Sequence, residues 1–295
     1  MNGTNDTLKT ENKTMVILSS RQFGRAAAAL INASHYSLIA YGDNNRALHG
    51  TFIAETPVVS VEDAVALNPD CMLIGVTDNE RSDELRHQAA SCGFNGKFLL
   101  LGELHELIDI RKGVICRLAE RIHALQTDGN IAELGVYKGE LAAVLNALFP
   151  ERTLYLFDTF TGFNERDTKV ETDSDYSRAK PGDFRDTEEA AVLNRLPFPE
   201  KANIYKGFFP DTARGLENEL YAFVSLDADL YAPTLAGLEY FYPRLNKGGV
   251  IILHDYNNSR FSGVKYAVED YERKHGALVL VPLCDLHGSV VIVKQ

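Results

Sequence analysis

The residues best equipped for chemistry stand at the ends of a series of β-type runs in the second half of the chain. The segment Ile131–Gly139, IAELGVYKG, reads as a strand passing into a helix. Gly135 and Gly139 allow tight turning and close approach of a ligand to the backbone, and Glu133 sets a carboxylate at the strand end. A dinucleotide loop presents GxGxxG and a helix N-terminus to pyrophosphate. A carboxylate here repels phosphate and suits an ammonium group. In TLYLFDTFTG the next strand ends in Asp158, about twenty residues past the glycine loop, a position from which a carboxylate accepts hydrogen bonds from ribose hydroxyls. SLDADLYAPTL carries Asp227 and Asp229, and KGGVIILHDY carries His254 and Asp255. Neighbouring parallel strands bring Asp227, His254 and Asp255 to one edge of one pocket. Carboxylate oxygens suit magnesium, manganese or calcium, and an imidazole moves the preference toward softer ions. Such an ion binds substrate oxygens and lowers a hydroxyl pKa. The plainer alternatives are a helix-start turn with a packing glycine at 135–139, and acids at 158, 227 and 255 that merely cap helices.

These residues need a scaffold, and the pattern supplies one. Met15–Ser19, Leu38–Tyr41, Pro57–Ser60, Cys71–Val76 and Lys97–Leu101 are short apolar runs separated by helical stretches, which predicts a small parallel sheet over 15–102. Glu103–Gln126 reads as one helix, with apolar residues from Leu104 to Leu125 at three- and four-residue spacings and Gly113 as an interruption. A second alternating set follows. Its last runs, Leu278–Pro282 and Ser289–Val293, flank a short polar turn and predict an antiparallel hairpin. Residues 163–190 interrupt the alternation with a polar stretch that reads either as a disordered surface loop or as a lid over the strand ends, with Tyr176, Arg178 and Phe184 facing substrate.

Composition narrows the function classes. The 295 residues carry a net charge of −11, which disfavours a nucleic-acid or anionic-membrane partner. The first fourteen residues are polar, read as a disordered tail, and show no secretory pattern, and no run approaches the roughly 18 apolar residues of a membrane span. Cys71, Cys92, Cys116 and Cys284 are far apart and read as reduced, mostly buried thiols of a cytoplasmic protein.

From about residue 103 to 295 the chain resembles class I S-adenosylmethionine-dependent methyltransferases, specifically the macrocin O-methyltransferase group. The carrying motifs are AELGVYKG, LFDTFTGF, KGFFPDT, LDADLYAPT, KGGVIILHDY and GVKYAVEDY, in the family's order. The resemblance implies an α/β fold with a seven-stranded Rossmann-like sheet, preceded here by the smaller Rossmann-like α/β domain. It implies S-adenosylmethionine over the ELGVYKG loop. Glu133 and Gly135–Gly139 then hold the methionyl part, with Leu134 and Tyr137 beside them; Asp158, with Thr159 and Phe160, holds the ribose; Gly207 and Phe208 meet the adenine; and Asp227 borders the cofactor. The family's magnesium site, an Asp in LDxDLY and the acids of DDY, falls on Asp227, His254 and Asp255, with His254 in place of the first acid of the pair. Asp227 is the favoured base and His254 its competitor. The implied function is S-adenosylmethionine-dependent O-methylation of a hydroxyl on a sugar or glycosylated small molecule, with Mg2+ or another divalent cation assisting. The alternative is a non-catalytic S-adenosylmethionine- or nucleotide-sugar-binding protein of a glycan pathway. A homo-oligomer stays open. The first domain looks like small sugar-pathway Rossmann-like domains, but Ser19, Ser20 and Gln22 replace its first glycines and obstruct a pyrophosphate. Asp43 is left to reach a ribose, so structural and nucleotide-binding roles both stand.

Overall fold

The computed structural model describes residues 12–295, and the chain divides into two compact units between Asp109 and Ile110. The tail expected over 1–14 lies outside the described residues as far as residue 11, and Lys13 and Thr14 already belong to a strand.

The first unit contains strands β1 (Lys13–Leu18), β2 (Tyr36–Gly42), β3 (Phe52–Ile53), β4 (Thr56–Val59), β5 (Cys71–Ile74) and β6 (Lys97–Leu100), with helices α1 (Gln22–Leu30), α2 (Val61–Ala66), α3 (Asn79–Ser91) and α4 (Leu101–Leu107). The order is β3-β4-β2-β1-β5-β6, parallel except for β3. The two-residue β3 is too short to show a period in the sequence. Asp43, at the end of β2, accepts hydrogen bonds through Oδ2 from the backbone and hydroxyl of Ser20 at 2.8 and 2.6 Å. Those bonds, with partial burial opposing them, hold its carboxyl below the usual range.

The second unit contains helix α5 (Ile110–Ala124), then β7 (Asn130–Leu134), α6 (Glu140–Leu148), β8 (Leu154–Asp158), α7 (Glu165–Asp173), α8 (Glu189–Arg195), β9 (Ala202–Lys206), β10 (Tyr221–Leu226), α9 (Tyr231–Arg244), β11 (Leu245–Leu253), α10 (Gly263–His275), β12 (Val279–Pro282) and β13 (Val290–Val293). The sheet order is β12-β13-β11-β10-β7-β8-β9, with the expected antiparallel hairpin β12–β13 placed so that β13 pairs with β11. Alternation along the strands separates two cores. Leu134, Phe157, Leu226 and Leu253 pack with Leu238 and Phe241 of α9 and Val264 and Val268 of α10. Ile131, Leu156, Phe223 and Ile252 pack with α5, α6 and α8 on the opposite face. Parallel strands covered on both faces are apolar at most positions, which is why these runs look nearly continuous.

Three expectations change. The single helix over Glu103–Gln126 is two helices: Ile108 is extended, and Asp109, a residue type that favours helix starts, precedes α5. Gly113 lies inside α5 without interrupting it, and of the apolar series only Ile115 and Ile122 are buried there, joined by Ala119, while Leu104, Leu107, Ile108 and Leu125 are exposed. Segment 163–190 holds α7, capped by the Asn164 side chain, and its body-facing residues are polar: Asp167, Thr168 and Glu171. No apolar period could announce it. Among the cysteines only Cys71 is buried, and Cys284 is exposed.

Candidate active site

Register alone assembles the site. Leu134, Leu226 and Leu253 are level across β7, β10 and β11, and Leu134 is level with Phe157 on β8. The next residues, Gly135, Asp227, His254 and Asp158, therefore emerge side by side at the carboxyl ends. The connections leaving β7 and β10 diverge to opposite faces there, which is where open α/β sheets form a ligand crevice. Gly135 has φ +86°, and an added Cβ would stand 1.9 Å from the Asp227 carbonyl oxygen. Gly135→Ala is expected to cost on the order of 3 kcal/mol or more and to abolish ligand binding in the crevice, read by thermal unfolding and calorimetry. Unchanged unfolding would contradict this geometry.

The loop is held from beside by Asp158. Its Oδ2 accepts from the amides of Val136 and Tyr137 at 2.8 and 2.9 Å, and its Oδ1 accepts from the Phe160 amide at 2.8 Å. Both oxygens are thus already engaged by backbone, and the remaining lone pairs are what a ribose would meet. Leu134 and Phe160 put their side chains into the apolar cores, so they border the crevice by backbone only. The Thr159 hydroxyl donates to the Gly162 carbonyl. Gly207, with φ +136°, donates its amide to the Asp158 carbonyl, which places it beside the end of β8. The Phe208 ring lies beneath the Arg166 guanidinium of α7, 3.0 Å from the ring centre.

Glu133 is 2% exposed and its Oε2 has no hydrogen-bond partner. Burial first, and then the negative charges of Asp227 and Asp158 against the relief given by Arg111, push its carboxyl well above the usual range. Asp227 is clamped by two cations: Arg111 Nη1 lies 2.9 Å from Oδ2 and His254 Nδ1 2.9 Å from Oδ1. Burial alone would raise its pKa, but His254 and Arg111 overcome that and hold it well below the carboxylate range. Asp229 and Asp255 leave their strand ends with φ +58° and +60°, left-handed positions that Asp tolerates better than most residues. Asp229 is pushed well up by burial and by the charges of Asp227 and Asp255. His254 Nδ1 also lies 3.3 Å from Asp255 Oδ2, yet it meets the geometry of a directed hydrogen bond to neither acid. Burial would lower the imidazole pKa, but the Asp227 carboxylate raises it to about 10.

The sign of that last shift can be tested. A cation whose pKa rises on folding contributes stability that is complete below its free value of about 6.5 and is lost as pH climbs through the folded value. Metal-free protein should therefore lose on the order of 3 kcal/mol between pH 7 and 10, and His254→Asn should remove most of that slope. Equal slopes in denaturant unfolding would refute the ion pair.

The crevice thus concentrates acids around two cations, with one buried carboxyl oxygen and one buried ring nitrogen lacking a directed partner. That donor set fits an ammonium-bearing ligand at Glu133 and a divalent cation at one of two clusters that share Asp255, one with Asp227 and Asp229 and one with His254 and His287. Sequence reading left out Arg111 altogether and gave Asp229 and His287 no assigned role. The Arg111 link to Asp227 spans 116 residues and has no local signature. His287 was visible only as a histidine in the β12–β13 turn, but β13 runs antiparallel to β11 with Val290 level with Leu253, which carries that turn to the His254 end of the sheet. The three side chains expected to face substrate from segment 163–190 are divided. Phe184 stacks edge-on against Tyr137 and Phe163, Tyr176 stacks on Tyr266, and Arg178 is exposed.

Residues 111–292 match the family model for macrocin-O-methyltransferase (TylF). The chain is 28% identical over 190 residues to the 8-demethyl-8-(2,3-dimethoxy-alpha-L-rhamnosyl)-tetracenomycin-C 4'-O-methyltransferase of Streptomyces olivaceus, covering 58% of this chain and 68% of that protein. It is 25% identical over 160 residues to the mycinamicin III 3''-O-methyltransferase of Micromonospora griseorubida, covering 50% of this chain and 62% of that one. Among solved structures, the O-methyltransferase NovP superposes with a TM-score of 0.52 at 22% identity, over 63% of this chain and 79% of that one. The calicheamicin methyltransferase CalS11 superposes with a TM-score of 0.51 at 19% identity, over 87% of this chain and 99% of that one. These two show the fold, and the family match covers more than half of the sequence. The chain belongs to the macrocin O-methyltransferase family.

Proposed function

We propose that this protein transfers the methyl group of S-adenosylmethionine to a hydroxyl of a sugar or glycosylated small molecule. The observation that carries the reading is the buried Glu133 Oε2, which lacks a hydrogen-bond partner beneath a glycine loop in the same crevice as the Asp227–His254 pair. Relatives named for methylating rhamnosyl tetracenomycin and mycinamicin support the acceptor class.

Glu133 receives the ammonium of the methionyl group, and its proton is displaced as that cation arrives. Asp158 fixes the loop against which the cofactor lies. Asp227 accepts the acceptor hydroxyl proton as the methyl group moves in line from sulfur to oxygen. Arg111 keeps that carboxylate ionised and aimed. A divalent ion held beside Asp227 by the donors that meet at Asp255 would supply Lewis acidity that makes the acceptor hydroxyl more acidic. S-adenosylhomocysteine titration followed by product release on a glycoside panel, with and without divalent ions, tests the reading. Cofactor binding without turnover on any acceptor would favour a non-catalytic binding protein.

Segment 183–187 acts as a strap on the cofactor loop. Asp186 accepts from the Tyr137 hydroxyl at 2.8 Å and pairs with Lys138 at 2.6 Å, while the Thr187 hydroxyl donates to the Tyr137 carbonyl. Asp186→Ala should speed S-adenosylhomocysteine dissociation by about two- to fivefold, the scale of an exposed ion pair, with no loss of thermal stability. An unchanged off-rate in stopped-flow measurements would separate the strap from cofactor exchange.

A further inference from the structure

The acids of the crevice offer two ligand sets for a cation, and they share Asp255. One is all oxygen: Asp227, Asp229 and Asp255. The other is His254, Asp255 and His287. In each set the ligating atoms lie within 4.8 Å of one another. Two ligands bound at about 2.1 Å to one ion stand no more than about 4.2 Å apart, so either set closes on an ion with small side-chain movements.

The oxygen set is compromised. The Oδ2 of Asp227 is occupied by Arg111 at 2.9 Å, and a guanidinium that is always charged repels a second cation placed on the same carboxylate. In the set containing imidazole, Nδ1 of His254 forms no directed hydrogen bond but lies 2.9 Å from Asp227 Oδ1, so an ion bound there displaces the imidazolium proton and leaves Asp227 to Arg111. Its second imidazole is well placed. The rings of His254 and His287 have centres 4.9 Å apart. The turn that bears His287 is also fixed in advance. Buried Asp285 accepts from the Ser289 amide at 2.8 Å, and the Gly288 carbonyl accepts from the Asn257 amide at 3.0 Å. Gly288 has φ +74° and packs so closely that an added Cβ would meet Asn257 Cβ at 2.6 Å.

We propose that the chain binds a borderline transition-metal dication, of the zinc, cobalt or manganese class, through His254, Asp255 and His287, in preference to magnesium. Two imidazoles and one carboxylate leave open positions for substrate oxygens. Magnesium, which prefers oxygen ligands in strict octahedral geometry, gains little from imidazole. This rests on the methyltransferase reading for its purpose but not for its chemistry.

The test uses the full chain after chelator treatment, with Co2+ as an optical probe and Zn2+ and Mg2+ as competitors. Cobalt should bind with one-to-one stoichiometry and show visible absorption characteristic of nitrogen ligation, at least a hundredfold more tightly than magnesium. His287→Ala should weaken cobalt binding at least tenfold, and His287→Gln serves if the alanine variant is unstable. His254→Asp should narrow the cobalt-to-magnesium preference at least tenfold. Magnesium binding as tight as cobalt, cobalt binding unaltered by loss of His287, or no bound metal at all would overturn the proposal. S-adenosylhomocysteine titration of the same samples keeps the two ideas apart. Retained cofactor binding without metal selectivity sinks only the metal site, and metal selectivity without cofactor binding sinks only the methyltransferase reading.

Discussion

Asp227→Asn is expected to lower methyl transfer by about a thousandfold, within the range that positioned proton transfer contributes, while changing S-adenosylhomocysteine affinity only slightly. The carboxylate sits at the end of β10 beside Gly135, so it is next to both the cofactor loop and the His254–Asp255 edge. His254 and Arg111 hold it ionised throughout the neutral range despite burial. An amide of the same shape preserves the packing but cannot take a proton, and it leaves Arg111 facing a neutral group. Steady-state rates and calorimetry on the same sample separate chemistry from binding. A turnover loss under tenfold would transfer the role to His254. In that case metal-free turnover should climb with pH toward about 10, where the His254 proton leaves.

Glu133→Ala is expected to reduce S-adenosylhomocysteine affinity at least a hundredfold, because a buried ammonium left without its carboxylate costs about 3–5 kcal/mol. The same change should not destabilise the ligand-free protein. An acid whose folded pKa is raised binds its proton more tightly when folded, so its contribution to stability falls as pH rises above the unfolded value. At pH 7 its removal should leave the melting temperature equal or higher. A purely structural Glu133 would give the opposite pairing, a lower melting temperature with affinity retained.

What sequence reading recovered and what it missed follow from how local each signal is. Strand ends are local. Gly135, Asp158, Asp227 and His254 each close an apolar run, and the parallel register does the rest. Long-range partners are not local. Nothing in RKGVICRL marks Arg111 as the counter-ion of a residue in another part of the chain. Helix α7 escaped because its body-facing side chains, Asp167, Thr168 and Glu171, are polar, and Glu171 is buried to accept from the Tyr231 amide at the start of α9. Asp158 ends β8 as its apolar run implies, but sequence could not show that its carboxylate is engaged by three backbone amides.

The measurement that most directly tests the cofactor crevice is calorimetric titration of S-adenosylhomocysteine into the native chain and into Glu133→Ala. The account predicts one-to-one binding by the native protein that is lost in a variant of undiminished thermal stability. Failure of the folded native protein to bind at millimolar ligand, or equal binding by both proteins, would contradict it.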